Sequence, residues 1–165
     1  MKGLPVSLED RKQVLRLFSY GLHIVGVRQD DQVNGFTVNW LTQVSFEPLL
    51  IAVSIENDAW SWSILEATQQ FTINVLATGQ RELAGRLGKS RRKVADKFEG
   101  IAWQPAPKTQ CPVLHEDALA YLECKIVATH PAGDSKLLIA KVIATQALRD
   151  GTPLTMKEAG FRHAG

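Results

Sequence analysis

Asn34-Gly-Phe-Thr-Val-Asn-Trp-Leu-Thr-Gln-Val-Ser-Phe-Glu-Pro48 places small polar residues and a tryptophan where an ordinary core strand carries aliphatics. On a period of two, Thr37, Asn39, Leu41, Gln43 and Ser45 share one face, and Phe36, Val38, Trp40, Thr42 and Val44 share the other. The second is a conventional core face, whereas the first is too polar to be one. The stretch therefore reads as a strand that presents its own backbone to a flat ligand.

Upstream, Ser7 stands three residues before Asp10, the pattern of a capped helix start whose acid is favoured by the positive end of the helix dipole. Val14, Leu15, Leu17 and Phe18 give that helix an apolar face, which Gly21 ends. Leu22 to Val27 alternates loosely and Gln29-Asp-Asp-Gln32 is a polar turn, so the strands on either side of it are predicted to form a hairpin. Downstream, Leu49 to Ile55 is apolar except for Ser54 and suits a strand buried on both faces in a barrel. A short helix over Trp60 to Ala67 and a strand over Phe71 to Leu76 follow. Gln80 to Leu87 is helical, and Pro105, Pro107 and Pro112 then break regular structure in a surface loop. Ala118 to Ala128 and Lys136 to Ala147, rich in Val, Ile and Leu, are long strands with Gly133-Asp134 as their turn. Six or seven strands with two or three short helices at irregular places define a mainly β fold, a barrel with helical excursions, rather than alternating βαβ units.

Composition agrees with a single domain over residues 1–165. The chain is 45% hydrophobic and 22% charged, with a net charge of +2 that gives no global reason to expect nucleic acid or membrane as partner. Cys111 and Cys124 lack metal-type spacing and read as reduced thiols. The amino terminus has no apolar h-region, and no run approaches the ~18 apolar residues of a spanning helix, so the expected location is the cytoplasm. His23, His115, His130 and His163 show no paired spacing, so no metal site is expected. From Arg86 to Lys97, six basic residues stand against Asp96 alone, a local charge of about +5. Such a run reads as an anion site, as a solvated basic face, or as a nucleic-acid contact; the absence of interleaved aromatics argues against the last. Ser61, in Ala59-Trp-Ser-Trp62 at the start of a predicted helix, fits either a phosphate-binding hydroxyl or a simple N-cap. Trp40, Trp60 and Trp62 suit the wall of a flat ligand, a core or an interface.

An ordered set of motifs resembles the flavin reductase-like family, the FMN-binding split β-barrels with Greek-key character. It comprises Val44-Ser-Phe-Glu-Pro48, Ala59-Trp-Ser-Trp62, Phe71-Thr-Ile-Asn-Val-Leu76, Asp96-Lys-Phe-Glu-Gly-Ile101, Pro112-Val-Leu114, Ala118-Leu-Ala-Tyr-Leu-Glu-Cys124 and Gly133-Asp134. The resemblance implies FMN as cofactor, with FAD as an alternative, and NAD(P)H as hydride donor. It further implies that Thr37, Val38, Asn39, Trp40 and Leu41 line the isoalloxazine ring, with Ser54, Ala59, Trp60, Ser61, Lys89 and Arg91 completing the cofactor site. Arg92 is a further candidate cation, needed because Asp58 repels a phosphate. Family members that reduce flavin with NADH commonly carry Gly-Asp-His, where this chain has Gly133-Asp134-Ser135-Lys136. Ser135 and His163 are therefore the only catalytic candidates. Two functions follow from the resemblance: an NAD(P)H-dependent flavin reductase, or a non-catalytic FMN electron carrier of the flavoredoxin kind. Either implies a homodimer and an electron-accepting protein or monooxygenase as partner, and the four tryptophans in so small a chain also point to an interface.

Overall fold

The computed structural model describes residues 7–91, 93–94 and 96–162. Helix α1 (Leu8–Leu15) begins where Ser7 caps it, its Oγ accepting the Asp10 N–H at 3.0 Å. No residue of α1 is buried, and Val14, Leu17 and Phe18 are exposed, so its predicted apolar face meets no core within one chain. Strands β1 (His23–Gln29) and β2 (Gln32–Val38) form the predicted hairpin around Asp30 and Asp31. Strands β3 (Leu41–Ser45) and β4 (Leu50–Glu56) follow, joined by a turn holding a cis Glu47–Pro48 peptide. Helix α2 (Trp62–Thr68), β5 (Gln70–Val75) and α3 (Arg81–Gly88) come next. The proline-rich loop contains two short strands, β6 (Gln104–Pro105) and β7 (Pro112–Val113). Strands β8 (Ala120–Ala132) and β9 (Ser135–Ala147) pair across the Gly133-Asp134 turn, whose glycine takes φ 68°. A short α4 (Met156–Ala159), not expected from the sequence, is capped by Thr155.

Seven of the described strands form one antiparallel sheet in the order β2-β1-β5-β8-β9-β4-β3. Its outermost members, β2 and β3, are consecutive in the chain and separated only by Asn39 and Trp40. The sheet is therefore closed by its own backbone. Ser54 N–H donates to Trp40 C=O at 3.0 Å and Leu41 N–H to Asn39 C=O at 3.1 Å, fixing the crossing point. Beyond it β2 and β4 part, and the barrel is split there. This corrects the uniform alternation expected over residues 36–45: the two crossing residues interrupt the strand, so the face assignments on its two sides are not continuous.

Alternation along β1 sends Val25 and Val27 into the barrel and Ile24 outward. Trp62, Ile64 and Leu65 of α2 join the inner core, together with Val53, Phe71, Ile73 and Leu138. Leu87 of α3, Phe98, Leu114, Leu154 and Met156 build a second core on the outer side of β1. The Phe98 ring lies so close to Gly35 that a Cβ there would sit 2.8 Å from it, so only glycine admits the ring.

The polar residues of Phe71-Thr-Ile-Asn-Val-Leu76 act as clamps. Asn74 is fully buried, donates to Ile24 C=O at 3.3 Å and Pro112 C=O at 3.2 Å, and accepts the Leu114 N–H at 2.9 Å. Thr72 adds a 2.6 Å bond to Pro112 C=O. Asn74→Ala leaves the Leu114 N–H unpaired in the core, a loss of about 1–3 kcal/mol for each buried group so stranded. Urea denaturation is expected to show a lower midpoint at unchanged slope, with stability down by about 2 kcal/mol.

Candidate functional site

The split between β2 and β4 opens into a cleft of about 390 Å³. Asn34, Phe36, Thr37 and Val38 line it from β2, Asn39 and Trp40 from the crossing, and Ser54, Ile55 and Glu56 from β4. The turn Asp58–Ser61 and the segment Gly88–Arg91 with Lys97 supply the rest. Ten residues singled out in the sequence thus meet in one place: Thr37, Val38, Asn39, Trp40, Ser54, Ala59, Trp60, Ser61, Lys89 and Arg91.

Two candidates lie elsewhere. Leu41 follows the crossing, pairs with Val53 and packs on the barrel core, because β3 resumes regular pairing one residue after Trp40. Ser135 is buried opposite Glu56 at the start of β9 and bonds the Asp134 carboxylate at 3.2 Å; it does not border the cleft. His163 and Arg92 fall outside the described residues. Lys136, in the neighbouring position to Ser135, is engaged with Glu66 at 2.9 Å and lies over the Trp62 ring at 4.4 Å.

Two cations fasten the cleft wall to β2. Arg91 donates to Val33 C=O at 2.9 Å with its guanidinium 4.1 Å from the centre of the Trp60 ring. Lys97 is buried and donates to Gly35 C=O at 3.1 Å and Leu87 C=O at 2.9 Å. Burial, with the Arg91 charge second, lowers the Lys97 ammonium from an ordinary 10.5 to about 8. Neither role was visible in the basic run, where six similar residues mask the one that turns inward. Asn34, also missed, carried a signal: it shares the inward parity of Phe36 and Val38, and a polar side chain there calls for a partner. It finds one in Ser61, whose Oγ accepts from Asn34 Nδ2 at 2.8 Å. Ser61 precedes α2 but makes no side-chain cap bond, so its hydroxyl faces Asn34 rather than the helix end.

At the other end, Thr37 donates to Ala84 C=O at 2.6 Å, and Asn39 Nδ2 lies 3.0 Å from the Met156 sulfur. These residues also border a second, more open groove of about 510 Å³, walled by Leu22, Ala84, Met156 and Phe161. None of the described histidines borders the cleft, and among the described residues no cluster of metal-ligating side chains occurs. The lining suits the holding of a long, flat ligand with an anionic end.

A sheet closed through two residues, with its ligand-sized cleft at the split, is a split β-barrel. Residues 15–165 match the family model described as the flavin reductase like domain, and the chain belongs to that family. A diflavin flavoprotein of Nostoc sp. is 32% identical over 87% of this chain, which spans only 24% of that relative's length. The reductase subunit HsaB of a flavin-dependent monooxygenase from Mycobacterium tuberculosis is 31% identical over 79% of this chain and 67% of its own. Among solved structures, the NADH:FAD oxidoreductase SgcE6 of Streptomyces globisporus, in complex with NAD and FAD fragments, superposes with a TM-score of 0.83 at 26% identity, covering 99% of this chain and 98% of that one.

The buried lysine gives the fold a measurable pH dependence. Between its folded value of about 8 and its unfolded value near 10.5, the unfolded chain binds more protons, so this contribution to stability rises with pH. Below pH 8 the ammonium is charged in both states and the full cost of its burial is present. Unfolding free energies measured from about pH 7 to about pH 10 should show wild type gaining on Lys97→Met; parallel curves for the two proteins would contradict a buried, titrating Lys97.

Proposed function

We propose that the chain is an FMN-binding flavoprotein that works as an NAD(P)H-dependent flavin reductase. The observation that carries this reading is the cleft in the barrel split of a flavin reductase-like domain, with a tryptophan and strand backbone at one end and desolvated positive charge at the other. Bound flavin supplies hydride acceptance, chemistry that belongs to the cofactor rather than to a side-chain acid or base. The protein's task is to bind and orient. The Thr37–Trp40 backbone and Asn39 face the ring, and Lys97 and Arg91, the latter stacked on Trp60, offset the phosphate charge, overcoming the exposed Asp58. FAD is the alternative flavin.

A non-catalytic electron carrier is the second reading, favoured by Ser135 and Lys136 standing where NADH-using members carry histidine. Ser135 is held by Asp134, and Lys136 by Glu66 and Trp62, so neither is free to guide a nicotinamide. A monooxygenase that accepts reduced flavin is the partner class suggested by the HsaB likeness. A second copy of this chain is the other partner. Phe46 is 87% exposed beside exposed Val44 and Leu49 at the β3–β4 turn, and Leu8 and Val14 of α1 are exposed as well. Among the described residues no helix is long and apolar enough to cross a membrane; a cytoplasmic location is part of the proposal.

Steady-state oxidation of NADH and NADPH with added FMN separates the two readings: turnover supports the reductase, and tight flavin binding without turnover supports the carrier. Asn39→Ala should raise the FMN Kd about tenfold, equivalent to about 1.4 kcal/mol, while His130→Ala leaves it unchanged. A protein that takes up no flavin by absorbance titration removes both readings.

A further inference from the structure

The open groove beside the cleft is built largely from α3 and the segment around α4. Leu22, Ala84 and Met156 are buried in its wall, and the half-buried Phe161 ring completes it. That ring is held in place: the Arg81 guanidinium stands 6.0 Å from its centre, and a Cβ on Gly85 would lie 3.6 Å from its Cζ. Lys89 and Arg162 line the groove, both exposed, and neither is drawn into an ion pair or a side-chain hydrogen bond with a described residue. No acid is among its described lining residues; Glu158 of α4 accepts instead from the Thr78 hydroxyl and the Gly79 N–H.

This lining selects by what it lacks as well as by what it offers. The volume of about 510 Å³ falls within the ~300–1,000 Å³ common for small-molecule sites. A sugar finds few partners here, because the Thr37 hydroxyl is already engaged with Ala84 C=O at 2.6 Å and the wall around it is apolar. A neutral hydrocarbon leaves both cations unused. A flat aromatic ring set against Phe161 and Met156, carrying one carboxylate to Arg162 and Lys89, uses the wall and the charge together.

The groove also touches the cleft, since Thr37, Val38, Asn39, Gly88 and Lys89 border both. Asn39 is the movable part of that shared wall. Its Nδ2 donates to the Met156 sulfur at 3.0 Å, and a thioether is a weak acceptor on an adaptable side chain. An occupant that displaces Met156 therefore releases the Asn39 carboxamide towards the cleft at small cost. Resting on the flavoprotein reading above, we propose that this groove is an effector site for an aromatic carboxylate, whose binding tightens flavin binding through Asn39. Arg162 and Lys89 take the carboxylate, and Phe161 and Met156 hold the ring. Arg162 borders the groove and not the cleft, so the effector site can be perturbed by itself.

Calorimetric titration with naphthoate and its neutral amide, naphthamide, presents one ring with and without the charge. Wild type should bind naphthoate at least about tenfold more tightly, a preference that Arg162→Ala should cut to about threefold or less. Saturating naphthoate should lower the FMN Kd about threefold or more and then level off, and FMN should tighten naphthoate by the same factor, as linkage requires. Met156→Leu, which removes the sulfur, should still bind naphthoate but lose the coupling. Circular dichroism checks both variants; should either fail to fold, the wild-type series still decides. No binding of naphthoate, equal binding of the two probes, or a preference untouched in Arg162→Ala overturns the site. An FMN Kd that climbs without limit as naphthoate is added puts the probe in the cleft and overturns it, and an unchanged FMN Kd overturns the effector role. A competitive rise in KM for NADH or NADPH assigns the groove to the nucleotide and also overturns it. Wild type that takes up no FMN loses the flavoprotein reading itself, while naphthoate binding still decides whether the groove is a site.

Discussion

A sheet edge that borders a ligand cleft must satisfy its outward carbonyls without a neighbouring strand, and here two cationic side chains do so. The β1–β2 register leaves the Val33 and Gly35 carbonyls on the side of β2 away from β1, where Arg91 and Lys97 bond them. Unpaired backbone at such an edge is both costly and a template for unwanted pairing. Capping it with side chains rather than with another strand lets β2 and β4 stay apart. The opening between them and the positive charge inside it thus share one cause.

Lys97 reaches its place because Phe98 is seated. The ring occupies the space over Gly35 that any other residue would fill, and the next residue back then lies against the Gly35 carbonyl. Asp96 fixes the approach by accepting the Phe98 N–H at 2.9 Å. Asp96-Lys-Phe98 is therefore a short docking device: an acid to shape the turn, a cation to cap the edge and an aromatic to hold both against the sheet.

The elements that were legible in the sequence are those fixed by local pattern. Alternation along β1 and β2, the polar Asp30-Asp31 turn, the Ser7 cap and the Gly133-Asp134 turn need no distant partner to be recognised. β8 nevertheless extends to Ala132, beyond the expected Ala128, because pairing with β9 carries the ladder through His130 and Pro131. The closing of the barrel was not legible: Asn39 and Trp40 look like two more alternating positions until β2 and β3 are known to occupy opposite ends of the sheet. Ten of the candidate site residues converge because they flank that crossing or the two segments facing it. Lys97 was hidden among similar charges, since burial of one lysine depends on a groove built by β2 and α3. Leu41 was expected in the site from the resemblance alone; the break in the strand at Asn39 and Trp40 restores β3 pairing at Leu41 and seats it on the barrel core.

A charged lysine held out of water couples the cleft to the stability of the barrel. Its ammonium keeps two carbonyls paired, yet its burial disfavours the charged form, so the fold carries an electrostatic cost on the wall of its own site. An anion entering beside Lys97 offsets that cost and favours the folded state by mass action as well. The same charge that closes the sheet edge thus makes the site most complementary to a ligand that brings negative charge into the split. Removing Lys97 would relieve the cost and lose the caps together, so the edge of β2 and the affinity of the cleft cannot be tuned independently.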